Sequence, residues 1–309
     1  MTTNEPVFLS LVVPAYNEEA VIGHFYDRTG PILKAISENF EIIFINDGSR
    51  DRTVDEVVAL HERDPRVKLI DLSRNFGKEI ALSAGLDFSR GEVVIVIDAD
   101  LQDPPELIPQ MVAKWREGYD MVYATRLARQ GETLVKKATA NAFYRMIGRL
   151  TKIHIPKNTG DFRLLSRRAV EALKTLREQH RFMKGLFSWI GFRQISLPYC
   201  REPRYAGQTK WNYWKLWNFA IEGITSFSYI PLQVASYIGL TIASCSFVYA
   251  FYLVLKTFYG GVDVPGYASL MVAILFFSGV QLSFLGVMGE YLGRMFNETK
   301  NRPLYLAQG

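Results

Sequence analysis

The sequence predicts an α/β domain built on a mostly parallel sheet, followed by an amphipathic segment and two membrane-spanning helices. Three observations predict it. Strand and helix patterns alternate from residue 7 to residue 125, the strand segments are apolar almost throughout, and two long stretches near the C-terminus carry no charge. Alternation of this kind marks parallel strands joined by helical crossovers, and strands covered on both faces lose the apolar-polar alternation of half-exposed ones.

The first residues include Glu5 and Pro6 before a short apolar run that ends at Pro14, which reads as a first strand and not as a secretory leader. Further strands are expected at 41–46, 67–71, 93–98 and 121–125, with the first at 8–13. Helices are expected over 18–37, 53–63, 78–89 and 105–117. In such sheets ligands bind outside the carboxyl ends of the strands. Four polar clusters fall there together, at 14–19, 47–53, 74–78 and 98–103. From 127 to 204 the pattern is mixed and more basic, with helices expected at 134–151 and 166–176. Between them, Gly160-Asp161-Phe162-Arg163 reads as a loop entering a strand.

The segment 211–228 is aromatic and amphipathic, with Lys210 and Lys215 near its start. Trp and Tyr favour the membrane interface, so a helix lying among the headgroups is expected there. No charged residue occurs between Glu222 and Lys256, nor between Asp263 and Glu290. About 20 apolar residues cross the hydrocarbon layer, so each gap holds one transmembrane helix. The division expected is a soluble domain over 1–210, the juxtamembrane segment, a helical hairpin over 229–292 and a tail over 293–309. The connecting loop from Thr257 to Tyr267 holds no basic residue, whereas Arg294, Lys300 and Arg302 follow the second span. By the positive-inside rule the soluble domain and both termini are cytoplasmic, at a plasma (inner) membrane. Gly279, Gly286 and Gly289 in the second span would permit close helix packing in a homo-oligomer.

Composition excludes several classes. A formal net charge of +5 over 309 residues is too small to argue for nucleic acid and suits a surface of anionic lipid. The 2 cysteines cannot build a thiolate metal site, and Cys200 and Cys245 lie in contexts too different for a disulfide. No Gly-x-Gly-x-x-Gly follows the first strand, which excludes the nicotinamide fingerprint.

Asp98, Asp100 and Gln102 form an i, i+2, i+4 series of oxygen-bearing side chains at a strand end. Successive side chains of a strand alternate in direction, so these three would project together. Hard oxygen ligands suit Mg²⁺ or Mn²⁺, and Mg²⁺ is commonly held by one or two carboxylates together with substrate phosphates. A capping acidic turn before Pro104-Pro105 is the competing reading. Asp47-Gly48-Ser49 turns from strand to helix, where Asp47 can accept hydrogen bonds from a base or ribose, or Ser49 or Asp51 can cap the helix.

Four segments in order, Pro14-Ala15-Tyr16-Asn17-Glu18-Glu19, Asn46-Asp47-Gly48-Ser49, Arg74-Asn75-Phe76-Gly77-Lys78 and Asp98-Ala99-Asp100-Leu101-Gln102-Asp103-Pro104, resemble the motifs of glycosyltransferase family 2. With the two C-terminal spans the chain resembles, more narrowly, the polyprenyl-phosphate glycosyltransferases, which include bactoprenol glucosyltransferases and dolichyl-phosphate mannose synthases. The resemblance covers nearly the whole chain and implies an A-type glycosyltransferase fold, Rossmann-like with a mostly parallel sheet. It assigns Pro14, Tyr16, Glu18 and Asp47 to the donor nucleoside, and Asp98, Asp100 and Gln102 to the metal and diphosphate. Arg126, Arg204 and Lys210 would contact donor diphosphate or acceptor phosphate, and Asp161 with Arg163 would face the acceptor. Asp161 and Asp100 are then the carboxylates nearest the chemistry.

The implied reaction is inverting transfer of a hexose, with UDP-glucose the expected donor, to an undecaprenyl-type polyprenyl phosphate at the membrane. A phosphate monoester with its second pKa of about 6 is largely a dianion at neutral pH, so the nucleophile needs little proton removal. Asp161 is therefore expected to orient cations and acceptor before it acts as a base. Two readings compete: a processive polysaccharide synthase, whose Gln-x-x-Arg-Trp motif is absent, and a non-enzymatic lipid-binding scaffold, which would need to have lost the metal ligands that are present.

Overall fold

The computed structural model describes residues 6–127, 156, 159–201, 230–260 and 266–308. The chain forms two compact units, one of residues 1–223 with 303–309 and one of residues 224–302. The helix expected at 134–151 and the aromatic segment at 211–228 lie outside the described residues.

The first unit alternates as expected: β1 (Leu9–Ala15), α1 (Ile22–Ile36), β2 (Phe40–Asn46), α2 (Thr53–Arg63), β3 (Val67–Leu72), α3 (Lys78–Phe88), β4 (Val93–Val96), α4 (Ile108–Arg116) and β5 (Met121–Arg126). It continues with β6 (Thr159–Ser166), α5 (Arg167–Thr175), α6 (Met183–Trp189), β7 (Gln194–Tyr199) and, from the C-terminal tail, β8 (Ala307–Gln308). One sheet results, in the order β7-β5-β6-β4-β1-β2-β3-β8. Only β6 and β8 run antiparallel to their neighbours. Because β1 lies between β2 and β4, the direction of winding reverses there, and a crevice opens at the carboxyl ends of β1 and β4.

Burial explains why these segments are strands. Every residue of β2 and β4 is buried, as is β1 apart from Pro14, so helices cover both faces. Pro14 lies beyond the ladder with β4, which ends at Val12↔Val96. Helix α3 packs closely on this centre: a methyl added at Gly85 would come within 2.3 Å of Val12 Cγ1 and 2.7 Å of Ile45 Cδ1. The polar groups buried at the other end of the strands are satisfied, since Ser10 donates to Glu41 at 2.6 Å and the amides of Arg90 and Gly91 donate to Glu41 and Ser10.

One expectation is corrected here. Gly160-Asp161-Phe162-Arg163 is not a loop but the first half of β6, paired antiparallel to both β4 and β5. Gly, Asp and Arg are poor strand residues, and only the tertiary partners of the buried charges make the strand possible. The C-terminal tail is paired to the edge of β3 through Leu72↔Ala307 and Asp71↔Gln308.

The second unit holds α7 (Ile230–Gly260) and α8 (Tyr267–Thr299). Both are long and apolar enough to cross a membrane, with mean hydropathy of 1.4 over Leu232–Tyr249 and 1.9 over Val272–Thr299. Large apolar side chains lie outward, including Phe247, Phe258 and Tyr259. The two helices touch where Gly239 faces Phe284, whereas a methyl at Gly279, Gly286 or Gly289 would meet open space.

Candidate active site

Two loops at the carboxyl edge are stitched together through backbone groups. The amide of Asn17 donates to Ser49 Oγ at 2.9 Å, that of Glu18 to Thr53 Oγ1 at 2.8 Å, and that of Arg50 to Asn17 Oδ1 at 2.8 Å. Asn17 adopts a φ of 55°, one of the few side chains that tolerate the left-handed region at a tight turn. The β1 loop thus presents Tyr16, which is 36% exposed, over a cavity of about 360 Å³. Asn46, Ser49, Asp71, Asn75 and Gln308 share its lining. That volume lies within the range of small-ligand sites, and the lining is largely polar.

Asp47, expected at the nucleoside, stands between the lining residues Asn46 and Gly48 and is not itself in the lining. It is 4% exposed and accepts from the amides of Phe76 at 2.7 Å and Gly77 at 3.0 Å. Burial raises its pKa, and the two amides hold it partly in check. Its work in this structure is to clamp the loop between β3 and α3. The same crossing explains Gly48: its φ is +68°, and a Cβ there would come within 2.5 Å of the Asn75 amide nitrogen.

Strand β4 ends at Val96, so Asp98 to Asp103 form a turn and not an extended strand end. The direction of their side chains is therefore set by that turn and not by strand alternation, and the turn holds Leu101 at a φ of 56°. A leucine rarely occupies that region, and such strain gathers where function requires a fixed arrangement. The Asp100 carboxylate accepts from the Gln102 amide at 3.2 Å. Gln102 accepts from Arg201 Nη2 at 2.5 Å through Oε1, the oxygen expected beside a cation.

The residue that organises the centre was not singled out for the site from sequence. Lys78, first in α3, places Nζ 2.6 Å from Asp98 Oδ1 and 2.5 Å from Asp161 Oδ2. Withdrawal from water lowers the ammonium's pKa, but the two carboxylates outweigh it and the net shift is upward. Asp161 is shifted the other way: burial would raise its pKa, and Lys78, Lys184 and Arg163 hold it well below the ordinary carboxylate range. Glu79, one residue on, accepts from the Met183 amide at 3.0 Å and rises to about 7 through burial and the nearby charge of Asp161.

Arg163 departs from its expected role. It follows Asp161 by two residues on the same face of β6, yet it is 4% exposed, with its guanidinium 3.7 Å from the centroid of Phe187 and Nη2 donating to Gly160 O at 3.0 Å. Burial lowers its pKa to about 10, which leaves it charged at neutral pH. It supports Asp161 from behind and does not line an open surface. Arg126 is where expected, at the end of β5, with Nε donating to Tyr199 Oη at 3.1 Å. The Tyr199 hydroxyl in turn donates to Asp103, a buried carboxylate whose pKa burial and the charge of Asp98 raise. Tyr199, Asp103, Arg201 and Lys78 thus join the candidate site; sequence reasoning gave none of them a role in it, although Lys78 and Asp103 lie in the motifs. Arg204 and Lys210 lie outside the described residues.

Among the described residues no three His, Cys, Asp or Glu side chains are grouped to enclose a metal. The arrangement still fits a hard cation shared with a substrate. Asp98 and Asp100 supply hard carboxylate oxygens of the kind such a cation takes, and the Asp98 carboxylate is already paired with the Lys78 ammonium.

Similarity to known proteins agrees with this architecture. The sequence profile described as glycosyl transferase family 2 matches residues 10–174. An uncharacterised glycosyltransferase of Synechocystis sp. is 60% identical over 298 residues, covering 96% of this chain and 94% of the relative. The bactoprenol glucosyl transferase of Shigella phage SfX is 49% identical over 298 residues, covering 96% and 98%. An uncharacterised glycosyltransferase of Bacillus subtilis, YkcC, is 48% identical over 300 residues, covering 97% and 93%. The chain is an enzyme with an A-type glycosyltransferase domain and belongs to glycosyl transferase family 2.

Proposed function

We propose that this enzyme transfers glucose from UDP-glucose to an undecaprenyl-type polyprenyl phosphate at the cytoplasmic face of a membrane, with inversion at the anomeric carbon. The observation that carries the reading is the likeness, over 96% of the chain, to a bactoprenol glucosyl transferase. Two helices of membrane-crossing length in the same chain support it. So does physical necessity: each buried CH₂ contributes about 0.8 kcal/mol, so a long polyprenyl tail stays in the bilayer and the catalytic domain must come to it.

The nucleoside is assigned to the cavity under Tyr16, with Pro14 and Glu18 shaping the loop that carries it and Asp47 fixing the loop opposite. Mg²⁺ or Mn²⁺ held by Asp98 and Asp100, with Gln102 beside them, would supply charge neutralisation for the departing nucleotide diphosphate. Arg126, Arg201 and, in the basic loop, Arg204 and Lys210 add fixed positive charge where two phosphate-bearing substrates must approach. The lipid phosphate is itself the nucleophile, so no protein nucleophile is required. Direct attack on an α-linked donor gives a β-linked product. Asp161, held ionised by Lys78, is a poor proton acceptor at neutral pH and serves to orient that ammonium and the acceptor.

The test is a panel of nucleotide sugars incubated with the purified full-length protein, polyprenyl phosphate and either Mg²⁺ or Mn²⁺. UDP-glucose should label the organic-extractable lipid fastest. Faster labelling from another nucleotide sugar would overturn the donor assignment, and no lipid labelling from any donor would overturn the reaction.

A further inference from the structure

The C-terminal tail reaches the cavity under Tyr16 along the edge of β3. Strand β3 would be an open edge without it. The amide of Ser73 donates to Leu306 O at 2.8 Å, and Asp71 and Leu72 pair with Gln308 and Ala307. Anchors outside the cavity fix this path. Leu304 is 6% exposed, the Tyr305 hydroxyl donates to Asp87 Oδ2 at 2.9 Å, and Arg177 pairs with the same carboxylate at 2.6 Å. Held in this way, Gln308 lines the cavity beside Asp71, whose Oδ1 already accepts from Asn46 Nδ2 at 2.6 Å.

We infer that residues 304–308 form a wall of the donor site and that Gln308 contacts the donor nucleoside, an inference that rests on the cavity being the place where the donor nucleoside binds. The juxtaposition has a chemical logic. A primary amide offers two donors and one acceptor, which match the alternating donors and acceptors of a pyrimidine edge or the hydroxyls of a ribose. Simple capping of a sheet edge requires only the backbone of β8 and would be indifferent to the side chain that faces the cavity.

Binding of UDP to the full-length protein in detergent, measured by calorimetry, separates the two roles. Gln308→Ala keeps the strand and should weaken UDP about three- to tenfold, the scale of one lost hydrogen bond. Deletion of residues 306–309 should weaken it by about tenfold or more, and the donor KM of each variant should rise in parallel while kcat and the acceptor KM move far less. Thermal midpoints of Gln308→Ala and the unaltered protein should coincide, which excludes misfolding as the cause. UDP affinity equal to that of the unaltered protein in both variants would overturn the inference. If the unaltered protein bound a different nucleotide in preference to UDP, the proposed donor would fall instead. The same variants would then be read with the preferred nucleotide, with the same outcomes deciding the tail's role.

Discussion

Replacing Lys78 by Met should slow sugar transfer about five- to thirtyfold without unfolding the protein. The magnitude follows from the geometry, in which one ammonium lies 2.5 Å from Asp161 and 2.6 Å from Asp98. Two unit charges about 4 Å apart attract by roughly 4 kcal/mol at an effective dielectric constant of about 20. The Lys78 side chain is 42% exposed, so water screens that figure to roughly 1–2 kcal/mol, and about 1.4 kcal/mol is tenfold in rate. Without the ammonium, the Asp98 and Asp161 carboxylates lose the group that holds them to one point. Initial rates of label entering an organic-extractable lipid measure the effect. The mechanism also predicts coupling: Asp161→Asn should cost less in the Lys78→Met background than alone, by about 1–2 kcal/mol. Strictly additive losses, or a Lys78→Met rate within twofold of the unaltered enzyme, would refute the reasoning.

Asp161→Asn should lower the rate at every pH without moving the midpoint of the profile, because a carboxyl held well below its ordinary pKa is already ionised across the working range. A loss recovered by raising pH would show that Asp161 accepts a proton. Gly85→Ala should destabilise the first unit by roughly 1–3 kcal/mol, since the added methyl meets Val12 and Ile45 at 2.3 and 2.7 Å; a thermal midpoint that does not fall would contradict the packing. Acid should unfold the domain partly through Glu41. Burial pushes its pKa up, but the hydrogen bonds from Lys68, Ser10 and the Arg90 amide outweigh it, so the folded value lies below the ordinary 4.5. A lowered folded pKa contributes stability above that ordinary value and loses it as pH falls through the folded one. Urea midpoints should therefore drop below pH 4.5, and Glu41→Gln should flatten part of that slope.

The central strands were legible because burial on both faces leaves a mostly apolar run, as at residues 42–45 of β2. The acidic motif was legible as chemistry but not as geometry. Asp98, Asp100 and Gln102 lie on a turn with Leu101 at positive φ, and no residue pattern announces that conformation. Lys78, although part of the third motif, was given no role because a lysine opening a helix looks like a solvated cation until β6 brings Asp161 to it across 83 positions of sequence. Arg163 was misjudged for the converse reason: its cation is buried against the Phe187 ring, a partner on a short helix that left no clear periodic signal. β8 spans only Ala307–Gln308, and its pairing depends on where β3 ends in space, not on any propensity of its own.

The most direct test of the account is the structure of the lipid product formed when the full-length enzyme turns over UDP-glucose and polyprenyl phosphate with Mg²⁺ or Mn²⁺. Mass spectrometry and NMR should find the acceptor extended by one hexose, joined through its phosphate in β linkage, with UDP released in equal amount. An α-linked product would contradict direct inverting attack. A ladder of longer saccharides, or UDP release with no sugar on the lipid, would contradict the assignment itself.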